Sequence, residues 1–230
     1  MKKVISFALW GDKPIYNVGA IENAKTFHHF YPNFECWFYV DEKSVPSNTI
    51  HSLKEINNVK IIYKHGGLNS CWRFEPIDDP EVEIMMSRDC DSRITEREKL
   101  AVDDWFNSDK LFHIMRDHPY HSVPILAGMF GTRKIPNLLW KEKINIFHKN
   151  IKLNQTDREF LCNDQDFLGS YIYPIIRDHS VVHASFHKYE SHAKPFPTPY
   201  NSNFNFVGEY VYEDGSQNIT HHNMIKESLS

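Results

Sequence analysis

The sequence predicts an α/β fold built on a parallel, doubly wound sheet with helices on its faces. Three observations predict it. Short apolar runs of strand length alternate with longer stretches of helical periodicity. The alternation reads β-α-β-α-β through residue 64, which is the signature of a parallel sheet. Acidic residues stand where apolar runs end, at Asp41 and at Asp89 and Asp91. In open α/β sheets that edge, beyond the carboxyl ends of the strands, is where ligands bind.

The elements follow in order. "VISFALW" (4–10) is a buried strand, and Trp10-Gly11-Asp12-Lys13 ends it. "YNVGAIENAKTFHHFYP" has a helical pattern that stops at Pro32. "FECWFYVD" (34–41) is a second strand ending in an acid. Residues 44–56 read as a helix with Pro46 in an early position, and "VKIIYK" (59–64) as a third strand. "VEIMMS" (82–87) is a fourth strand. "TEREKLAVDDWFNS" (95–108) opens on Thr95 with Glu98 three residues on, a capping box. A short strand "KLFHIM" follows, then a long loop "RDHPYHSVPILAGMFGTRK" and a helix from Pro136 to about His148. The glycines of "GMFG" suggest a close approach of backbone to a ligand. "NDQDFLGSYIYPII" is a helix that opens with acids, as its dipole favours. "HSVVHASF" is a late strand. From Lys194 the chain is rich in Pro, Asn and Ser, and the last dozen residues read as frayed. No repeat and no polar linker divides the chain, so one domain over 1–210 and a tail over 211–230 are expected.

Bulk properties narrow the function classes. With 230 residues the chain is long enough for a substantial core. Its composition, 41% apolar and 24% charged, is that of a folded protein. A net charge of −4 argues against a nucleic-acid footprint, which needs a basic patch. No run approaches the ~18 apolar residues of a membrane span. The four cysteines, 36, 71, 90 and 162, form no C-x-x-C pair and no disulfide-scaffold spacing. Reduced thiols in a cytoplasmic protein fit best. The sequons at Asn154 and Asn218 are read as chance occurrences.

The stretch that carries chemistry is "EIMMSRDCDSRITERE", Glu83 to Glu98. Residues i and i+2 of a strand share a face. Asp89 and Asp91 therefore aim at one point, and Cys90 faces elsewhere. Two converging carboxylates need a cation. A hard ion such as Mg²⁺ or Mn²⁺ is held by one or two carboxylates plus substrate phosphates. Arg88, Arg93 and Arg97 suit phosphate oxygens through forked, charge-assisted hydrogen bonds. The stretch thus points to a metal-bound diphosphate. The plainer alternative is that these acids and arginines pair with one another on a surface loop.

With these motifs in order, the chain resembles the GT-A glycosyltransferases, whose DxD motif lies at a strand end after a nucleotide-binding half. "NDQDFL" (163–168) is similar to the DQD segment of galactosyltransferases related to glycogenin. "VVHASF" (181–186) is similar to the late His-bearing strand that completes their metal site. The longer pattern "CWRFEPIDD…SRDCDSRITEREKLAVDDWFNS…HIMRDHPYH…ILAGMFG" resembles the small glycosyltransferases of large DNA viruses and bacterial polysaccharide loci. The resemblance spans about residues 3–208. One departure is plain: "HASFHKYESHAKPF" keeps the Lys-Pro of the usual late "HxxGxxKPW" but has no glycine.

The resemblance implies a single GT-A (Rossmann-like) domain with a mixed, mostly parallel sheet. It implies transfer of a sugar from a nucleotide-diphosphate donor, UDP by preference, to a glycan or other acceptor hydroxyl. Mn²⁺ or Mg²⁺ would be held by Asp89, Asp91 and His183, with His187 the fallback. Asp164 and Asp166 are the catalytic candidates and Gln165 a sugar contact. Trp10, Gly11 and Tyr16 follow the first strand and offer a stacking platform for a base. Trp72, Arg73 and His118 complete the expected donor contacts. Two rival readings are a haloacid-dehalogenase-like phosphohydrolase, whose DxD sits on the first strand, and a carbohydrate-binding module without catalysis.

Overall fold

The computed structural model describes residues 1–154 and 163–229. Cys162 and the sequon residues Gln155 and Thr156 lie outside them. The strands are β1 (Lys2–Leu9), β2 (Glu35–Val40), β3 (Val59–Tyr63), β4 (Val82–Arg88), β5 (Phe112–Arg116), β6 (Met129–Arg133) and β7 (Ser180–Ala184). They form one seven-stranded sheet in the order β3-β2-β1-β4-β6-β5-β7. β1 pairs in parallel with β2 and β4, β2 with β3, and β5 with β7. β6 runs antiparallel to both β4 and β5. The sheet is therefore mixed and mostly parallel, with helices on both faces, as expected.

β6 lies in the stretch read as a loop. Pro124, Gly128 and Gly131 punctuate that stretch and hide a five-residue strand. Its reversed direction puts its first residue, Met129, at the same edge as the last residue of β4, Arg88.

The two faces have separate cores. One face is covered by α1 (Pro14–Phe30), α2 (Ser47–Lys54) and α3 (Glu96–Phe106), whose Ala20, Phe27, Leu53 and Trp105 pack on Ile5, Phe7 and Phe38. On the other, Trp72 and Phe74 of a 3-10 stretch (Asn69–Asp78) pack with Trp140 of α4 (Trp140–Asn154) and Phe167 of α5 (Asn163–Phe167). α5 continues through a π turn (Leu168–Ile172) into α6 (Tyr173–Ile176). Pro174 explains the widened turn. It has no N–H, and its ring would collide with a carbonyl of a regular α-turn.

The chain from β3 to β4 must pass over β2 and β1, because the sheet order separates the two strands. The 3-10 stretch makes that crossing and delivers Arg73 to the carboxyl end of β4, where its Nη1 donates to the Arg88 carbonyl at 3.2 Å.

The last dozen residues are a helix rather than frayed: α7 (Ile219–Leu229). Ile225 is fully buried, and the buried His222 is hydrogen-bonded through Nε2 to Glu209. The His221 carbonyl accepts from His118 Nε2 at 3.1 Å. The polar sequence of the helix concealed these two anchors. No described helix is long and apolar enough to cross a membrane. Cys36, Cys71 and Cys90 are buried free thiols.

Candidate active site at the carboxyl edge of the sheet

Asp89 and Asp91 leave β4 in a turn clamped by α1. Gly19 gives the clamp room, since a Cβ there would overlap the Cys90 carbonyl and stand 2.9 Å from Arg93 Nη1. One turn later Asn23 Nδ2 donates to the carbonyls of Cys90, at 3.3 Å, and Ser92, at 2.8 Å. Cys90 is turned inward, its thiol 3.5 Å from the Ala8 carbonyl. Neither Gly19 nor Asn23 was singled out from the sequence; a glycine in mid-helix was the available signal.

Arg73 organises the site. It is buried, and its two terminal nitrogens form ion pairs with different carboxylates, Nη1 with Asp89 and Nη2 with Asp164. Burial opposes its charge, but the Asp89 and Asp164 carboxylates outweigh that and raise its pKa. A planar fork can span two acids in this way and an ammonium cannot. The other oxygen of Asp164 accepts from Gln165 N at 2.9 Å. Asp164, 91 positions from Arg73 in the chain, thereby meets Asp89 at one cation.

Asp91 has no arginine of this kind. Burial and the neighbouring Asp89 carboxylate push it up to about 7. A poorly compensated anion pair is the donor set for a divalent cation that takes its remaining ligands from phosphates. The two carboxylates fit such an ion. Gly128, just before β6, is what lets Asp89 stand where it does: a Cβ there would fall inside 3.0 Å of Asp89 Oδ2 and Cγ.

Two tyrosines feel the charge of Asp91. Tyr16, half-buried on α1, shares a helix face with Gly19 and Asn23. Its pKa is raised by burial and then by Asp91. Tyr210 is raised by the same two causes in the same order. At the ends of β1 and β2, Trp10 is 42% exposed. Gly11 N donates to Ser44 Oγ at 2.9 Å, and Ser44 Oγ donates to Asp41 at 2.7 Å.

The other expected site residues have the following partners within the chain. Arg88 is buried, with Nε on Glu98 at 2.8 Å and Nη1 on the Ser87 and Phe130 carbonyls. Glu98 thus serves Arg88, while its N–H donates to the Thr95 cap. Arg97 forms a fork onto Asp117, both bonds 2.8 Å, between the rings of Phe196 and Tyr200. Arg93 holds the Cys90 and Ser92 carbonyls. Trp72 is core. His118 is buried, donating to His221 O and accepting from Tyr120 N at 3.0 Å. Asp166 is exposed, whereas Asp164 is buried. Two residues apart on a helix, they cannot share a face.

His183 does not join the carboxylates. Among the described residues no three His, Cys, Asp or Glu side chains gather in a metal-holding group. His183 is fully buried, with Nε2 at 2.9 Å from Asp104 and Nδ1 at 2.8 Å from His113 Nε2. A carboxylate must accept, so Nε2 carries the proton and Nδ1 accepts from His113. Both ring nitrogens are therefore engaged. Burial lowers His183 to about 4 and holds His113 well below the usual range. The fallback ligand His187 donates to the Pro119 carbonyl at 2.7 Å.

No family model and no curated protein matches the chain. Solved structures similar to it include a glycosyltransferase involved in glycosylation of the major capsid of PBCV-1. It has 14% identity and a TM-score of 0.49, over 80% of this chain and 82% of that one. A second is the galactosyltransferase LgtC with donor and acceptor sugar analogues, at 12% identity and TM-score 0.49 over 77% and 72%. A third is 4-diphosphocytidyl-2C-methyl-D-erythritol synthase from Anaerococcus prevotii, at 10% and 0.44 over 74% and 84%. At such scores these likenesses assign nothing to the chain, and the site is read from its own geometry.

Proposed function

We propose that the protein is a metal-dependent glycosyltransferase that moves a sugar from a nucleotide-diphosphate donor, a UDP-sugar by preference, to an acceptor hydroxyl. The observation that carries this reading is the Arg73 bridge. It joins the strand-end carboxylate Asp89 to Asp164 at the start of α5, at the edge where open α/β sheets bind ligands. The first strand ends in Leu9-Trp10-Gly11, without a carboxylate, which speaks against the dehalogenase arrangement.

Asp89 and Asp91 would hold Mn²⁺ or Mg²⁺, which when bound neutralises charge on the diphosphate. Arg73 fixes Asp89 and, through its second nitrogen, sets Asp164 beside the transferred sugar. The acceptor oxygen forms a bond to the anomeric carbon as the bond to the diphosphate oxygen breaks. In an inverting reaction Asp164 takes the acceptor proton. In a retaining reaction it lies under the sugar without taking one.

Calorimetric titration of UDP with and without Mn²⁺ tests the reading. The parent is expected to bind only with the metal, and Asp89→Asn or Asp91→Asn to lose that binding, Asp91→Asn at an unchanged melting temperature. Metal-independent binding, or full binding by both variants, would refute the metal site.

A further inference from the structure

The C-terminal segment runs along the proposed active-site edge, strand end by strand end. Val207 N donates to Asp117 Oδ2 at 2.9 Å, just beyond β5, and Val207 packs on Met129, the first residue of β6. Val211 N then donates to the Asp91 carbonyl at 2.8 Å, beyond β4. Tyr210 stands between these anchors, next in the chain to the residue bound to Asp91. The segment is held from behind by α7, through the hydrogen bond between Glu209 and His222 Nε2. Asn205 Nδ2 and Gln217 Nε2 add bonds to Glu209 of 2.9 and 3.0 Å. A strap so anchored is preorganised, and its aromatic side chain costs little to order on a ligand.

We infer that residues 206–211 form a wall of the nucleotide site, and that Tyr210 takes the nucleoside part of the donor opposite the Trp10 and Tyr16 side. The inference rests on the reading above and adds a binding residue to it. Three things support a nucleoside as the occupant. Tyr210 is partly exposed while its backbone neighbours Glu209 and Val211 are buried, and its ring meets the Tyr212 ring edge-on at 5.0 Å. Tyr16 lies on the α1 face whose Asn23 holds the Asp91 loop, and Tyr210 precedes the residue bonded to the Asp91 carbonyl, so two segments bring an aromatic residue to one loop. Trp10 is exposed at the adjacent β1 end. Aromatic faces around a diphosphate-binding acid suit a flat base, which stacks irrespective of its hydrogen-bonding edge.

The test compares UDP with inorganic pyrophosphate, each titrated calorimetrically with Mn²⁺ into the full chain. Tyr210→Ala is expected to weaken UDP by roughly tenfold or more, the size of one stacked base. Pyrophosphate affinity should stay within about twofold of the parent. Tyr210→Phe keeps the ring and should bind UDP nearly as the parent does, which separates loss of the ring from loss of the fold. Parent-like UDP binding by Tyr210→Ala overturns the inference and leaves the transferase reading standing. Equal losses for UDP and pyrophosphate overturn it too, since the strap would then act by positioning Asp91. If the parent binds neither ligand with Mn²⁺, the underlying reading falls and the inference with it.

Discussion

Gly128→Ala is the most specific perturbation of the carboxylate pair. The added methyl carbon would fall inside 3.0 Å of both Oδ2 and Cγ of Asp89, a separation that Cβ atoms essentially never show. The backbone of Gly128 is not left-handed, so alanine is compatible with it, and the change removes unfolded-state freedom worth about 0.4–1 kcal/mol. The Asp89 side chain is 44% exposed and can swing away without opening the core. The carboxylate must retreat by roughly 1 Å, a displacement that can cost on the order of 10² in a positioned reaction. Moving it also breaks the pair with Arg73. The expected result is a melting temperature within about 3 °C of the parent, since 1 kcal/mol corresponds to about 2–4 °C at this size. Mn²⁺-dependent UDP binding should fall at least tenfold. Differential scanning calorimetry and titration of one preparation give both numbers. Parent-like binding would show that the position of Asp89 does not matter to the site, and the argument from Gly128 would fail.

Arg73→Lys keeps a charge but cannot span Asp89 and Asp164. It should lower stability by about 1.5–3 kcal/mol, the loss of one hydrogen bond between charged groups, and abolish most turnover; a thermal melt and a donor-hydrolysis assay check both. Asp164→Asn should slow transfer by about 10² to 10⁴ if Asp164 is the general base, with UDP affinity nearly unchanged. Full activity would remove it from the mechanism. The His113–His183 pair makes the fold acid-sensitive. Both are neutral when folded, so below about pH 6.5 the unfolded chain takes up protons that the native state refuses. Of the change in stability between pH 7 and 5, His183 should contribute a loss of roughly 2 kcal/mol, against a gain from Asp91, which protonates in the native state over the same range. Urea unfolding at the two pH values measures it, and a slope unchanged in His183→Gln would contradict the assignment.

Much of the fold was legible because period and punctuation agreed. β1 to β4 are apolar runs bounded by Pro, Gly or acids, and the Thr95 cap stands at the start of α3. β6 was not legible, because glycines that serve packing look like loop residues. α7 was missed because its anchors, His222 and Ile225, are two buried positions in a polar helix. At the site, the i, i+2 spacing singled out Asp89 and Asp91, but spacing could not say which cations serve them. Arg88, Arg93 and Arg97 lie near in sequence and bind structural partners. Arg73, 16 residues upstream of Asp89, reaches it only because of the β3–β4 crossover. His183 was a fair candidate by strand position, yet its partners Asp104 and His113 come from α3 and β5, and no local pattern joins the three.

The central claim is sugar transfer from a nucleotide donor at the Asp89–Arg73–Asp164 site. The direct measurement is release of nucleoside diphosphate from a panel of nucleotide sugars, with Mn²⁺ and with chelator, by the parent and by Arg73→Lys and Asp91→Asn. The account predicts metal-dependent release from at least one donor, UDP-sugars first, lost in both variants. Release unaffected by chelator and by both substitutions would contradict it, as would a parent that binds sugars but turns over no donor under any of these conditions.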